Sequence, residues 1–287
     1  MKSRRSQLVC AVAMLCALML SGALAHDHAR RDAPLPFEPA EELVYEGELS
    51  RSLFRGIDIA DLRFTAERTP ADAASAKDRR GNAATRLRFT AEAVTKGLFR
   101  KLFGLRFRQR IESTVEPSTF TVLQTIKLDE QGDRQRRSEA IFDRSAGKVV
   151  WTERDPKDPT REPRIVTSEF SGAVQDIASV FYYLRTQPLA PGKRFEITIS
   201  DSGRVYCLPV SVVEKKKMKT VLGEVSTLRV DPELFGEGRL VRGTGKISVW
   251  LTDDARHIPV QARISTDRGT LNIKLKSIRN GSLVKAK

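Results

Sequence analysis

Apolar and polar residues alternate with a period of two along most of this chain, the spacing of strands that bury one face. Leu43, Tyr45, Gly47 and Leu49 predict a first strand and Ile57–Thr65 a second, with a turn at Phe54-Arg55-Gly56. Residues 68–83 are polar and turn-rich and read as a loop, after which the strand pattern returns at Thr85–Ala93. Between 105 and 115, Leu105, Phe107, Ile111 and Val115 share one side and Arg106, Arg108, Arg110 and Glu112 the other. Phe120, Val122, Ile126 and Leu128, then Ala140, Phe142, Val149, Val150 and Trp151, continue a run of hairpins with turns at 129–133 and 143–147. The stretch 154–164 holds three prolines and cannot be a central strand, so it reads as a connection. Further strands are predicted at 194–200, 204–212, 220–230, 240–251 and 269–278, and Trp250–Val260 reads as strand, tight polar turn, strand.

One stretch departs from this rhythm. Val174, Ile177, Ala178, Phe181, Tyr182 and Arg185 fall at helical spacing, and Pro188, Pro191 and Gly192 stop the element near Thr186. The pattern predicts a helix over about 174–186 with apolar flanks, therefore covered. The expected fold is mainly β, a large curved antiparallel sheet or open barrel enclosing that one helix. Ile177, Phe181, Tyr182, Tyr183 and Leu184 become the candidate lining of the core or of a ligand cavity beside the helix.

The N-terminus changes the setting. Met1–Arg5 is basic, Leu8–Leu20 is an apolar run too short to favour a permanent span, and Ala23-Leu24-Ala25 is a small-x-small cleavage pattern. Residues 1–25 read as a signal peptide, 26–40 as an extended proline-containing leader, 41–280 as a single β-rich domain and 281–287 as a tail. The expected location is periplasmic, with no transmembrane anchor once the signal is cleaved. Cys10 and Cys16 leave with the signal, so Cys207 has no disulfide partner in the mature chain. The 287 residues carry a formal charge of +14, which falls by three to +11 without Lys2, Arg4 and Arg5. Export argues against nucleic acid as the partner. An anionic lipid, an envelope protein or an acidic envelope polymer fits better, set against a merely solvated basic surface, since the arginines are scattered along strands.

Three stretches carry a resemblance: Leu35–Tyr45, Asp176–Gly192 with its Tyr-Tyr-Leu-Arg-Thr-x-Pro-Leu-x-Pro-Gly block, and Trp250–Val260. From about Pro34 to Ile278 the chain resembles bacterial exported proteins grouped only as a domain of unknown function, departing from them at the insertion 68–83. The resemblance implies an envelope location and a β-rich fold like the open-barrel lipid and lipoprotein carriers of the periplasm. It implies no activity.

Candidate chemistry is sparse. Asp253, Asp254 and His257 lie close enough in sequence for a metal site, but a hairpin turn needs its aspartates for backbone hydrogen bonds, and the turn reading is preferred. His26 and His28 belong to the leader, and Cys207 has no histidine near it in sequence. Glu41-Glu42 and Asp253-Asp254 are adjacent pairs that point to opposite faces of a strand. The sequence contains no nucleophile elbow, phosphate loop or dinucleotide fingerprint, so no cofactor or metal is called for. Leu98, Phe99, Leu102 and Phe103, opposite Arg100 and Lys101, make a short amphipathic turn that could touch a membrane; a bend packing its aromatics inward is the simpler reading. The expected function is a non-enzymatic envelope carrier for a lipid-like ligand. The alternative is a structural or assembly factor that uses its basic β surface, and an enzyme comes third.

Overall fold

A computed structural model describes residues 35–51, 54–70, 85–96, 106–267 and 269–279. The expected signal peptide (1–25) and tail (281–287), most of the expected leader and of the expected 68–83 loop, and Leu98, Phe99, Leu102 and Phe103 lie outside the described residues. The main unit begins at Pro36.

Fifteen strands make one sheet, and the chain enters it in the middle. β1 (Glu41–Arg51) pairs antiparallel with β2 (Phe54–Pro70) on one side and with the last strand, β15 (Gly269–Arg279), on the other. From β2 the sheet grows by antiparallel steps through β3 (Thr85–Thr95), β4 (Phe107–Glu116), β5 (Thr121–Gln131), β6 (Arg134–Asp143) and β7 (Lys148–Arg154) to β8 (Arg164–Glu169). From β15 it grows through β14 (Pro259–Thr266), β13 (Gly245–Thr252), β12 (Gly223–Pro232) and β11 (Arg204–Thr220) to β10 (Arg194–Asp201). The two-residue β9 (Val174–Gln175) then adds in parallel to β10.

Strands β8 and β9 are therefore consecutive in the chain but form opposite edges of the sheet. In a flat sheet of this size they would lie roughly 65 Å apart at about 4.8 Å per strand. The connection from Glu169 to Val174 spans at most about 18 Å, so the sheet has to roll. It rolls without closing. At the β8 edge, Ser168 Oγ donates to the Gly203 carbonyl in the β10–β11 turn (2.7 Å). At the β9 edge, Gln175 Nε2 donates to the Phe120 carbonyl in the β4–β5 turn (2.6 Å).

Among the described residues one helix, α1 (Ser179–Arg185), sits inside the roll, shorter than the predicted 174–186. Asp176 sets its start. Its carboxylate accepts the backbone N–H groups of Ala178 (3.0 Å) and Ser179 (2.8 Å), while Ser179 Oγ accepts the Asp176 N–H (2.9 Å), a reciprocal cap that leaves Val174 and Gln175 free to pair as strand. The same buried carboxylate accepts Ser113 Oγ from β4 (2.6 Å) and Thr125 Oγ1 from β5. At the other end Arg185, 1% exposed, pairs with Glu41 of β1 and donates to the carbonyls of Pro36 (2.9 Å) and Arg256 (3.0 Å). His257 Nδ1 lies 2.9 Å from the Arg185 carbonyl. The helix is thus pinned at its start to β4 and β5, and at its end to β1 and the β13–β14 turn.

Other boundaries differ for local reasons. Residues Phe54–Gly56 are already strand, since Arg51 pairs with Phe54 and the hairpin is tighter than expected. β2 runs to Pro70, which pairs with Thr85 at the strand end, where proline is tolerated. β8 follows the proline-rich connection directly. The strand expected from Leu240 starts only at Gly245, because Gly243 has φ 103°, outside the strand region. Phe37, assigned to the leader, is buried, with ring centroids 5.0 Å from Tyr182 and 5.5 Å from Phe89.

Arg185→Met should destabilise the protein by about 3–5 kcal/mol in urea unfolding, because it strands the Glu41 carboxylate in the core. Arg185→Met combined with Glu41→Leu should recover most of that loss. A single variant as stable as the parent would show that the pair does not hold the helix.

Candidate functional site

Between the rolled sheet and α1 lies a partly open apolar cavity of about 330 Å³. The helix contributes Val180, Phe181 and Leu184, and the turn before it Ile177; Tyr45, Leu62, Phe64, Ala91, Ile111, Ile199, Leu208, Val210 and Ile273 come from the inner faces of β1 and of strands on both sides of it. Alternation puts these side chains inside. Among the lining residues only Tyr45, Glu92, Gln109 and Gln261 are polar. The Tyr45 hydroxyl is occupied by the Pro259 carbonyl (2.7 Å), and burial pushes its pKa well above that of an ordinary phenol. Glu92 is paired with Arg108 (2.9 Å). Such a site can hold an apolar chain by contact and has little with which to activate a bond.

The candidate residues of the helix divide between two roles. Ile177, Phe181 and Leu184 line the cavity, with Phe181 stacked on Phe64 at 4.0 Å and 9°. Tyr182 belongs to the solid core. It is fully buried, stacks on Phe89 at 4.3 Å, and its hydroxyl has no hydrogen-bond partner among the described residues; burial raises its pKa well above the usual value. Tyr183 is half-buried and packs against Phe120 at 5.8 Å. The sequence did not single out the sheet side of the cavity, whose residues are ordinary inward positions of many separate strands.

The remaining candidates have structural partners. Asp253 pairs with Lys215. Asp254 accepts Thr252 Oγ1 (2.7 Å) and the Arg256 N–H (3.1 Å), the work of a turn aspartate. His257, at φ 43°, faces the Arg185 carbonyl. The exposed Cys207 thiol has its pKa raised, first by a hydrogen bond to Glu196 and then by burial, which opposes thiolate formation. Glu46, Glu48 and Asp58 have carboxylate oxygens within 4.8 Å of one another. Lysines occupy the space a cation would need: Lys96 contacts Glu46 and lies 3.6 Å from Asp58, Lys276 lies 2.6 Å from Glu46, and Lys274 lies 2.7 Å from Glu48. The cluster reads as a network of ion pairs joining β1, β2, β15 and the end of β3.

A family model described as protein of unknown function (DUF3108) matches residues 54–276. No curated protein matches the chain. Among solved structures, a β-barrel-like protein of domain of unknown function DUF1849 from Brucella abortus is 13% identical, with 84% of this chain and 97% of that chain covered and a TM-score of 0.51, a likeness of fold. A candidate lipoprotein from Parabacteroides distasonis (7% identity, 85% and 97% covered, TM-score 0.31) and a candidate exported protein with a YmcC-like fold from Bacteroides fragilis (9%, 86% and 98%, TM-score 0.30) also match. No helix among the described residues is long and apolar enough to cross a membrane.

The hydrogen bonds of Lys276 and Lys96 hold the Glu46 carboxyl down at about 2, from an ordinary 4.5. Its contribution to stability is therefore complete above about pH 4.5 and lost as the pH falls towards 2. Glu46→Gln should cost on the order of 1 kcal/mol at pH 7, the scale of a solvent-screened pair. Urea unfolding of parent and variant across this range should show the difference closing below pH 4.5; a difference independent of pH would dismiss the network.

Proposed function

We propose, for a chain that belongs to the DUF3108 family of proteins of unknown function, that it is a non-enzymatic binding or carrier protein of the cell envelope for a lipid-like, hydrophobic ligand. The observation that carries this reading is the apolar cavity between α1 and the sheet. Its volume of about 330 Å³ is within the ~300–1,000 Å³ of ligand clefts, and a packed interior would leave no such void. The exported setting rests on the basic, apolar and small-residue pattern of Met1–Ala25.

A second reading, a structural or assembly factor that docks an envelope protein, draws on the outer face near β8. There Ile141 (47% exposed) sits directly opposite Val150 (42%), with Ile165 (60%) on the edge strand itself. An open edge beside an apolar row can accept a further strand.

Native mass spectrometry of protein isolated from its own envelope without detergent should show a recurring adduct that disappears on organic extraction. Ala91→Trp, which fills the cavity from β3, should weaken rebinding of the extracted molecule at least about tenfold while the thermal midpoint holds. A protein that stays empty after incubation with envelope lipids would transfer the function to the β8 face.

A further inference from the structure

The wall of the cavity is not uniformly zipped. β13 pairs with β14 down to Gly245 opposite Thr266, but its pairing with β12 covers only Thr227–Val230 opposite Thr252–Val249. Beyond Val230 the two strands part. Pro232 on one side of the gap and Ile247 on the other line the cavity, so the gap leads into it, and one ion pair, Lys246 to Asp231 (3.1 Å), crosses it.

Residues 233–244 lie over this gap. Leu240 lines the cavity from that segment, together with Leu234, while Arg242 and Thr244 are exposed. At its start the Glu233 N–H donates to the Pro209 carbonyl of β11 (2.9 Å), and within it the Val241 N–H donates to the Leu234 carbonyl (2.9 Å). Arg239 donates from Nη1 to the Cys207 carbonyl of β11 (3.1 Å) and from Nη2 to Glu233 Oε2 (3.0 Å). The Phe235 ring rests on Gly245, where an added Cβ would meet it at 2.7 Å. Gly236, Gly238 and Gly243, all at positive φ, supply joints that other residues resist.

We propose that the Glu233–Thr244 segment is a hinged flap, latched by Arg239, through which a single acyl chain enters and leaves the cavity tail first between β12 and β13. This rests on the carrier reading and specifies its ligand and its route. The volume of about 330 Å³ lies at the small end of ligand clefts, the size range suited to one acyl chain. The apolar lining takes the tail, and the polar head stays at the gap. Leu234 and Leu240 close on the chain when the flap is down, and opening requires the Arg239 guanidinium to release the Cys207 carbonyl while the Phe235 ring slides off Gly245; the Arg239–Glu233 pair lies within the flap and moves with it.

Stopped-flow fluorescence with the intact chain and a naturally fluorescent polyene fatty acid tests this. Arg239→Ala should accelerate both uptake and release about fivefold, the worth of the one hydrogen bond by which Arg239 holds the flap to β11, with the equilibrium affinity changed much less. Gly245→Ala, which displaces the Phe235 ring without touching the latch, should accelerate both rates as well. Arg136→Ala, on β6 beside Asp155, should keep the parent rates. Binding that persists at parent rates in both flap variants would overturn the portal and leave the cavity reading standing; failure of the unsubstituted chain to take up the fatty acid would overturn both.

Discussion

Everything in this fold follows from having to bring the two edges of a fifteen-stranded sheet within one short connection of each other. Backbone pairing does not perform that closure, because β8 and β9 pair only with their own neighbours. Side chains perform it. Asp176 binds the start of the helix to β4 and β5, and Arg185 binds its end to β1 and the β13–β14 turn. Both are buried charges saturated with hydrogen bonds, the condition under which such groups are tolerated. Burying them also specifies one arrangement, since an apolar helix could settle at several depths in an apolar trough, whereas a carboxylate and a guanidinium find their partners at only one.

The cavity is a geometric consequence of the same solution. A seven-residue helix is about 10 Å long, whereas strands of ten or more residues run for over about 30 Å. The helix fills part of the roll solidly, where Tyr182, Phe89, Phe37 and Phe120 stack around the Arg185 end. On its Phe181 and Leu184 side the sheet curves past it, and no other described element fills the space. Core and cavity are two faces of one helix, which is why neighbouring positions 181 and 182 have different roles.

That division explains what could be read from the sequence. Strands with one wet face carry their signature locally, so most of the sheet was legible as period-two alternation, and the enclosed helix followed from its length and proline stop. The start of the helix was not, because Val174 and Ile177 fit helical spacing while Val174 is strand. The informative residue was Asp176, with Ser179 three positions later, a capping signal that the apolar spacing masked. β8 was hidden because Arg164-Ile-Val-Thr-Ser-Glu169 shows no clean alternation and follows three prolines. Arg185 was placed on the apolar face by its spacing but not read as half of a buried ion pair, whose partner Glu41 lies 144 positions away. The helix side of the cavity was legible for the same reason as the helix. The sheet side was not, since its residues come from strands on both halves of the sheet and each looks like any other core position.

The distribution of pairing also separates stability from access. The long ladders β1–β2, β2–β3 and β1–β15 lie at the centre, where the chain begins and ends, and unravelling there would unfold the protein. The β12–β13 ladder is four pairs long and ends where the cavity begins. Extending it by four more pairs would close the sheet over this side of the apolar space. A short ladder continued by a glycine-jointed segment costs a few hydrogen bonds at one place on the wall and leaves both buried pins untouched. On the carrier reading, the pins that hold the fold and the route of exchange therefore lie at different places, the former at the helix ends and the latter at the gap.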